Sequence, residues 1–95
     1  MTRLHSLKIK SKYLFDIVHG HKTFEIRKND RGYKLGDYLE FTPVCDDYAD
    51  CPDLQNRNCY RSDGKKRMFE IIYIHEGYGL EEGFVCMTIK ENYYD

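Results

Sequence analysis

The feature that most constrains the fold of this chain is the alternation of apolar and polar residues over several short segments. Alternation with a period of two is typical of a β-strand that buries one face. It predicts strands at residues 4–10, 23–28, 38–41 and 84–89, while residues 68–75, apolar on both faces, are expected to form the central strand. The predicted inward-facing residues are Leu7, Ile9, Phe24, Ile26, Val85, Met87 and Ile89, which leaves Glu25 and Arg27 on the non-core face of their strand.

A helix is expected between the first two strands. Leu14, Ile17 and Val18 recur at helical spacing. Ser11 is the predicted N-cap, and Gly20 is the predicted residue that ends the helix after two to three turns. The order strand, helix, strand, strand, long loop, strand, strand predicts an α+β fold. We expect a small barrel of about five or six mostly antiparallel strands with one early α-helix.

Size and charge narrow the possible functions. The chain has 95 residues, enough for a single domain over 1–95, and it shows neither an apolar membrane span nor a signal peptide. We therefore expect a cytoplasmic monomer with no membrane partner. The net charge is −1, but residues 1–40 carry nine Lys/Arg against five Asp/Glu. A protein that coats a duplex should be more basic, whereas a pocket for one nucleotide or a short single strand needs only a local basic patch.

Residues 43–66 form the predicted long loop, which is rich in Cys and Asp. Cys45, Cys51 and Cys59 all fall in it. A zinc ion would hold such a loop in one shape, with a fourth ligand from His75 or an Asp, but the spacing matches no standard zinc motif. The favoured interpretation is a plain loop with thiols and no metal or other cofactor.

A motif follows the predicted helix. Residues 20–27 fit the pattern G-x-K-x-x-E-x-R, in which Lys22, Glu25 and Arg27 hold the charged positions. Arg offers a planar fork of donors for a phosphate or a base edge, and Glu can orient that fork or accept from an amine. From spacing alone, a solvated ion pair on a strand face is the favoured explanation of Glu25 and Arg27.

This pattern resembles the signature of ASCH (activating signal cointegrator homology) domains, which share the PUA-like barrel. The resemblance extends to Leu7-Lys8-Ile9, to Leu35-Gly36-Asp37 and to the closing segment at residues 83–87. It implies a small bacterial or phage branch of that superfamily, and a cleft beside the barrel that binds RNA or a nucleotide-like ligand. The expected ligand-binding residues are Lys22, Glu25, Arg27, Lys8, Lys10 and Tyr13, with Lys12 and Tyr33 as further candidates.

Two alternatives stay open. One branch of the superfamily hydrolyses the acyl-amide of a modified cytidine with a Lys, a Thr and a downstream Glu. This sequence keeps Lys22, and Glu70 or Glu76 are the candidates for the downstream Glu, but Glu25 stands where the Thr is expected. We therefore predict no strong activity on acylated cytidine. A different hydrolysis would use Glu25 as general base and Lys22 as electrostatic stabiliser. The second alternative is a protein-interaction domain that uses the acidic segment 41–60.

Overall fold

The computed structural model describes residues 2–45 and 67–92. Within these ranges the elements are β1 (Leu4–Lys10), α1 (Ser11–Val18), β2 (Phe24–Lys28), β3 (Tyr38–Val44), β4 (Arg67–Glu76) and β5 (Phe84–Glu91). The predicted order of strands with one early helix is confirmed in this part of the chain. The five strands form one sheet that curls into a half-barrel.

The strands lie in the order β1-β3-β4-β5-β2. β1 and β3 pair in parallel, while the β3–β4, β4–β5 and β5–β2 pairs are antiparallel. β4 occupies the middle of the sheet, as its apolar sequence predicts. β1 and β2 are the two edge strands.

The core lies on the inner face of the curled sheet, beneath α1. Its buried apolar residues are Leu7, Ile9, Leu14, Ile17, Tyr33, Leu39, Phe41, Phe69, Ile71, Val85, Met87 and Ile89. The inward faces predicted for β1 and β5 are therefore confirmed. α1 packs against β1 and β3 through Leu14 and Ile17, the residues that gave it helical periodicity.

β2 has the predicted alternation, but its two faces are the reverse of those expected. Glu25 is only 5% exposed, whereas Phe24 and Ile26 are 39% and 47% exposed. The prediction that Glu25 and Arg27 share a non-core face was wrong. Burial of a carboxylate is tolerated when cationic donors accompany it, and Glu25 has two of them.

The two ends of α1 differ from each other in how they are held. The N-cap is Lys10, without a side-chain cap hydrogen bond, so the predicted N-cap Ser11 is instead the first residue of the helix. The C-terminus is a Schellman motif: Gly20 N–H donates to Ile17 O (3.1 Å) and His21 N–H donates to Asp16 O (2.8 Å). Gly20 has φ +78°, a left-handed conformation that glycine adopts without strain.

β3 extends two residues into the segment predicted as a loop. Pro43 is buried in it and lies beside Ile9 of β1. Among the described residues, the register of β3 with β4 runs from Tyr38 to Phe41. Most of the predicted loop, with Cys51 and Cys59, lies outside the described residues. No helix in the described ranges is long and apolar enough to span a membrane.

Two arginines bridge the sheet edges. Arg27 Nη2 on β2 donates to Lys8 O on β1 (2.6 Å), and Arg31 Nη1 donates to Ser6 O (3.0 Å). No strand pairing joins β1 to β2 among the described residues. We call this line of contact the seam, since guanidinium groups here satisfy edge carbonyls that a closed barrel would pair with a strand.

Candidate functional site

A cleft of about 390 Å³ opens at the seam. It lies where β1 leads directly into α1 and where β2 runs opposite them. The lining residues are Lys8, Ile9, Lys10, Tyr13, Lys22, Phe24, Glu25, Ile26 and Arg27. This volume falls within the usual range for small-ligand pockets.

Glu25 stands at the centre of the charged side chains in the cleft. Its Oε1 accepts a hydrogen bond from Lys22 Nζ (3.2 Å), and its Oε2 accepts one from Arg27 Nε (2.8 Å). The pair is buried on the carboxylate side, so the solvated surface ion pair considered above is wrong. Glu25 acts here as an acceptor that fixes the direction of two cations.

Lys22 lies between the carboxylate and two aromatic rings. Its Nζ is 4.4 Å from the centroid of the Tyr13 ring and 5.5 Å from that of Phe24. Cation–π attraction and the Glu25 contact together hold a side chain that is otherwise flexible. Tyr13 and Phe24 are each 39% exposed, so part of each ring faces the solvent.

Arg27 is bound on one side only. Nε contacts Glu25 and Nη2 contacts Lys8 O, while no hydrogen bond among the described residues involves Nη1. The guanidinium is thereby locked in orientation with donor capacity to spare. A fixed fork of this kind suits a phosphate or a base edge.

The cleft is electropositive. Four of its lining side chains are cationic (Lys8, Lys10, Lys22 and Arg27) and only Glu25 is anionic. Ion pairing with Glu25 offsets part of that charge, which leaves Lys8 and Lys10 at the rim as the most exposed cations. Such a surface favours an anionic ligand.

A second polar cluster is buried beside the core. His5 Nε2 donates to Asp37 Oδ2 (2.9 Å), and the backbone N–H groups of Arg3 and Lys34 donate to the same carboxylate (3.1 and 3.2 Å). Burial raises the pKa of the Asp37 carboxyl, but these hydrogen bonds outweigh it and hold the pKa below its usual value. The cluster ties β1 to the turn that precedes β3.

Tyr33 connects this cluster with the arginines. Its ring meets His5 edge-on at 4.8 Å between centroids. Burial raises the pKa of the Tyr33 hydroxyl, while the nearby Arg27 and Arg31 act in the opposite direction. Tyr33 is a core ring, not a wall of the cleft.

Comparison with known proteins places the chain in a family. The model of a family described as "Domain of unknown function (DUF3850)" matches residues 4–89. This chain belongs to that family. It is also 41% identical over 39 residues to an "Uncharacterized 12.9 kDa protein in GpA 3'region" of Escherichia phage P2. The match covers 41% of this chain and 36% of the phage protein, so the chain spans about a third of that relative.

The DUF3850 match includes every residue of the cleft. All six residues predicted as ligand contacts, namely Lys8, Lys10, Tyr13, Lys22, Glu25 and Arg27, lie together in its lining. Their role in binding stays a prediction. Sequence reasoning missed Phe24 and Ile26 as cleft walls because their apolar character assigned them to the core.

Other candidates of the sequence lie elsewhere in this DUF3850 fold. Glu70 and Glu76 are on β4, two strands from β2 in the sheet order, and neither lines the cleft. Cys45 is half-buried just after β3. Its predicted partners in a zinc site, Cys51 and Cys59, are outside the described residues, so that alternative stays open. His5 and Asp37 were missed, and the only signal for them was a histidine on the inward side of an alternating strand.

Proposed function

We propose that this protein binds RNA or a nucleotide-like ligand in the seam cleft. The observation that carries the proposal is the placement of Arg27, Lys22 and two half-exposed rings around one cavity of about 390 Å³. Nucleotides offer what these groups recognise, a phosphate for the cations and a π-face for the rings. The resemblance to ASCH domains of the PUA-like superfamily supports the same ligand class.

Each part of the cleft has a role in this proposal. Arg27 contacts phosphate or a base edge with its remaining donors, and Glu25 positions Arg27 and Lys22 rather than contacting the ligand. Tyr13 and Phe24 stack on the base. Lys8 and Lys10 at the rim attract the anion and add contacts that weaken with salt.

Hydrolysis receives less support from the geometry. A general base must reach a substrate proton or a water, but both oxygens of Glu25 accept from cationic groups of the protein itself. The downstream carboxylates Glu70 and Glu76 are absent from the cleft lining. Binding without turnover is therefore the favoured proposal. Of the segment 41–60 considered for protein interaction, the structure describes only residues 41–45, and these give that alternative no support.

The test is isothermal titration calorimetry, in which the protein is titrated with adenosine and uridine 5′-monophosphates and with short single-stranded RNAs. Arg27→Ala should weaken binding by about 1–3 kcal/mol, as expected for loss of a bidentate contact. Arg27→Lys keeps the charge but loses the fork, so it should also weaken binding. Lys34→Ala is the control, since it removes one exposed positive charge that does not line the cleft.

Two checks make the result decisive. Circular dichroism must show that Arg27→Ala is folded, because Arg27 also bridges the seam. Lys8→Ala serves as a second variant, since Lys8 is exposed and contacts Arg27 through its backbone carbonyl, which the substitution keeps. Equal affinity of wild type and Arg27→Lys would exclude Arg27 as a contact. Turnover of N-acylated cytidine by the wild type, lost in Lys22→Ala, would replace the proposal by an amidohydrolase.

A further inference from the structure

The outer face of the sheet carries exposed apolar side chains next to the cleft. Phe24 on β2, Thr88 on β5 and Tyr73 on β4 lie in one cross-strand row. Tyr73 is 60% exposed, and Phe24 belongs both to this row and to the cleft lining. We call these three residues the outer row.

A β-bulge is what turns Tyr73 outward. Phe69 and Ile71 point inward, so simple alternation would bury residue 73 as well. The register of β4 against β5 shifts between Ile71 and Tyr73, and Ile72 and Tyr73 are consequently both exposed, while Ile74 packs against the core. Bulges that re-aim side chains are over-represented near functional sites.

Exposure of these rings is not what folding stability would favour. In a chain this small the core is thin, and burial of a Tyr or Phe ring would contribute substantially to it. β2 and β4 nevertheless present Phe24 and Tyr73 to the solvent, on strands that are both adjacent to β5. The reversed faces of β2 and the bulge in β4 thus place Phe24 and Tyr73 on the same surface of the sheet.

The outer row fits a nucleic-acid strand better than a free nucleotide. Phe24 and Tyr73 are two strand spacings apart, about 10 Å, which is too far for one base to stack on both rings. Lys28, paired in register with Phe84, lies on the same face as Phe24, and Lys22 lies over the Phe24 ring. Single-stranded nucleic acids bind to surfaces that combine exposed aromatic rings with nearby cations.

We infer that the ligand is a single-stranded RNA several nucleotides long, which enters the cleft with one nucleotide and continues over the outer row. This inference rests on the proposed function and extends it by assigning Tyr73 as a second stacking residue. RNA is the expected occupant of the outer row for two reasons. The row joins the cleft at Phe24, and the cations Lys22 and Lys28 lie beside Phe24.

The experiment compares ligands of different length. Binding of uridine 5′-monophosphate, of a uridylate trimer and of a uridylate octamer is measured for the wild type, Tyr73→Ala, Tyr73→Phe and Arg27→Lys. We expect the wild type to bind the octamer more tightly than the monophosphate. Tyr73→Ala should weaken octamer binding roughly 5- to 150-fold, as for loss of one base–ring stack, without changing binding of the monophosphate.

Matched controls isolate the ring at position 73. Tyr73→Phe keeps the ring and should bind the octamer like the wild type. Tyr78→Ala removes a tyrosine that is 96% exposed but lies on the turn after β4, and it should have no effect. Since Tyr73 and Tyr78 are largely exposed, thermal melts should show that the variants at these two positions are folded.

The outcomes separate this inference from the proposed function. Equal octamer binding by Tyr73→Ala and wild type, or octamer binding no tighter than that of the monophosphate, overturns the inference. If Arg27→Lys nevertheless weakened binding of the monophosphate and of the octamer, the proposed function would stand without the inference. Failure of the wild type to bind any of the three ligands overturns both. A wild-type dimer in sedimentation that Tyr73→Ala dissociates would assign the outer row to a second copy of the chain.

Discussion

Removal of the Glu25 carboxylate should cost this small domain a large part of its stability. Glu25→Ala removes two hydrogen bonds between charged groups, each worth about 1.5–3 kcal/mol. The side chains of Lys22 and Arg27 keep 19% and 26% exposure, so water compensates part of the loss, and Arg27 retains Lys8 O. We therefore expect a loss of about 2–4 kcal/mol, against a total of roughly 5–15 kcal/mol for a domain of this kind.

The assay is urea unfolding at pH 7, monitored by circular dichroism, with thermal melts in parallel. At about 4–8 °C per kcal/mol, Glu25→Ala should lower Tm by at least about 8 °C. Glu25→Gln keeps the volume and one acceptor oxygen, so its loss should be about half as large. Glu82→Ala is the control, because it removes an exposed carboxylate from the turn before β5.

Salt should have little effect on the stability difference between wild type and Glu25→Ala. A buried pair is screened little, so 1 M NaCl should leave the difference between wild type and Glu25→Ala nearly unchanged. If Glu25→Ala and Glu82→Ala were equally stable within about 0.5 kcal/mol, or if salt abolished the difference, Glu25 would be a surface residue and the reversed faces of β2 would be refuted.

Two further changes test the rest of the fold. The pKa of Asp37 is lowered in the folded state, so its contribution to folding stability is present above the unfolded pKa of about 4 and is lost as pH falls through the folded pKa. Asp37→Asn should therefore be less stable than the wild type at pH 7, and its stability should fall less steeply below pH 4. An unchanged dependence of stability on acid pH in urea melts would contradict this. Gly20→Ala should destabilise by about 1–2 kcal/mol, because φ is +78° and an added Cβ has no neighbour within 4 Å, which leaves backbone strain as the cause. Gly20→Asn should recover part of that loss, and equal stability of the Ala variant in the same melts would exclude a left-handed Gly20.

Alternation predicted where the strands are but not which face of each is buried. It succeeded for β1 and β5 because their apolar faces are also their inner faces. On β2 the same rule failed, since the inner position of Glu25 depends on Lys22, before the strand, and on the guanidinium of Arg27. Those partners form a network in three dimensions, and a rule that considers one residue at a time cannot detect it.

The bulge in β4 shows a second limit. The apolar run at residues 68–75 predicted a central strand, and that position is confirmed. Which of its apolar residues would be exposed depended on the shift of register against β5 at Ile72, which is set by pairing between distant segments. The assignment of Ser11 as N-cap failed for a simpler reason, because β1 continues directly into α1 and the cap falls one residue earlier, at Lys10.

The candidate site could be predicted because its residues are close in sequence, and its shape could not because it depends on the seam. Lys22, Glu25 and Arg27 lie within six residues, so a motif was enough to collect them. The position of Lys8 opposite Arg27 required the two sheet edges to meet, and the hydrogen bond from Arg27 to the Lys8 carbonyl is one of the contacts that hold them there. The residue proposed to contact ligand thus also helps to close the half-barrel. A ligand that draws Nη2 away from the Lys8 carbonyl would loosen the seam, whereas a ligand that uses only Nη1 would leave that hydrogen bond intact.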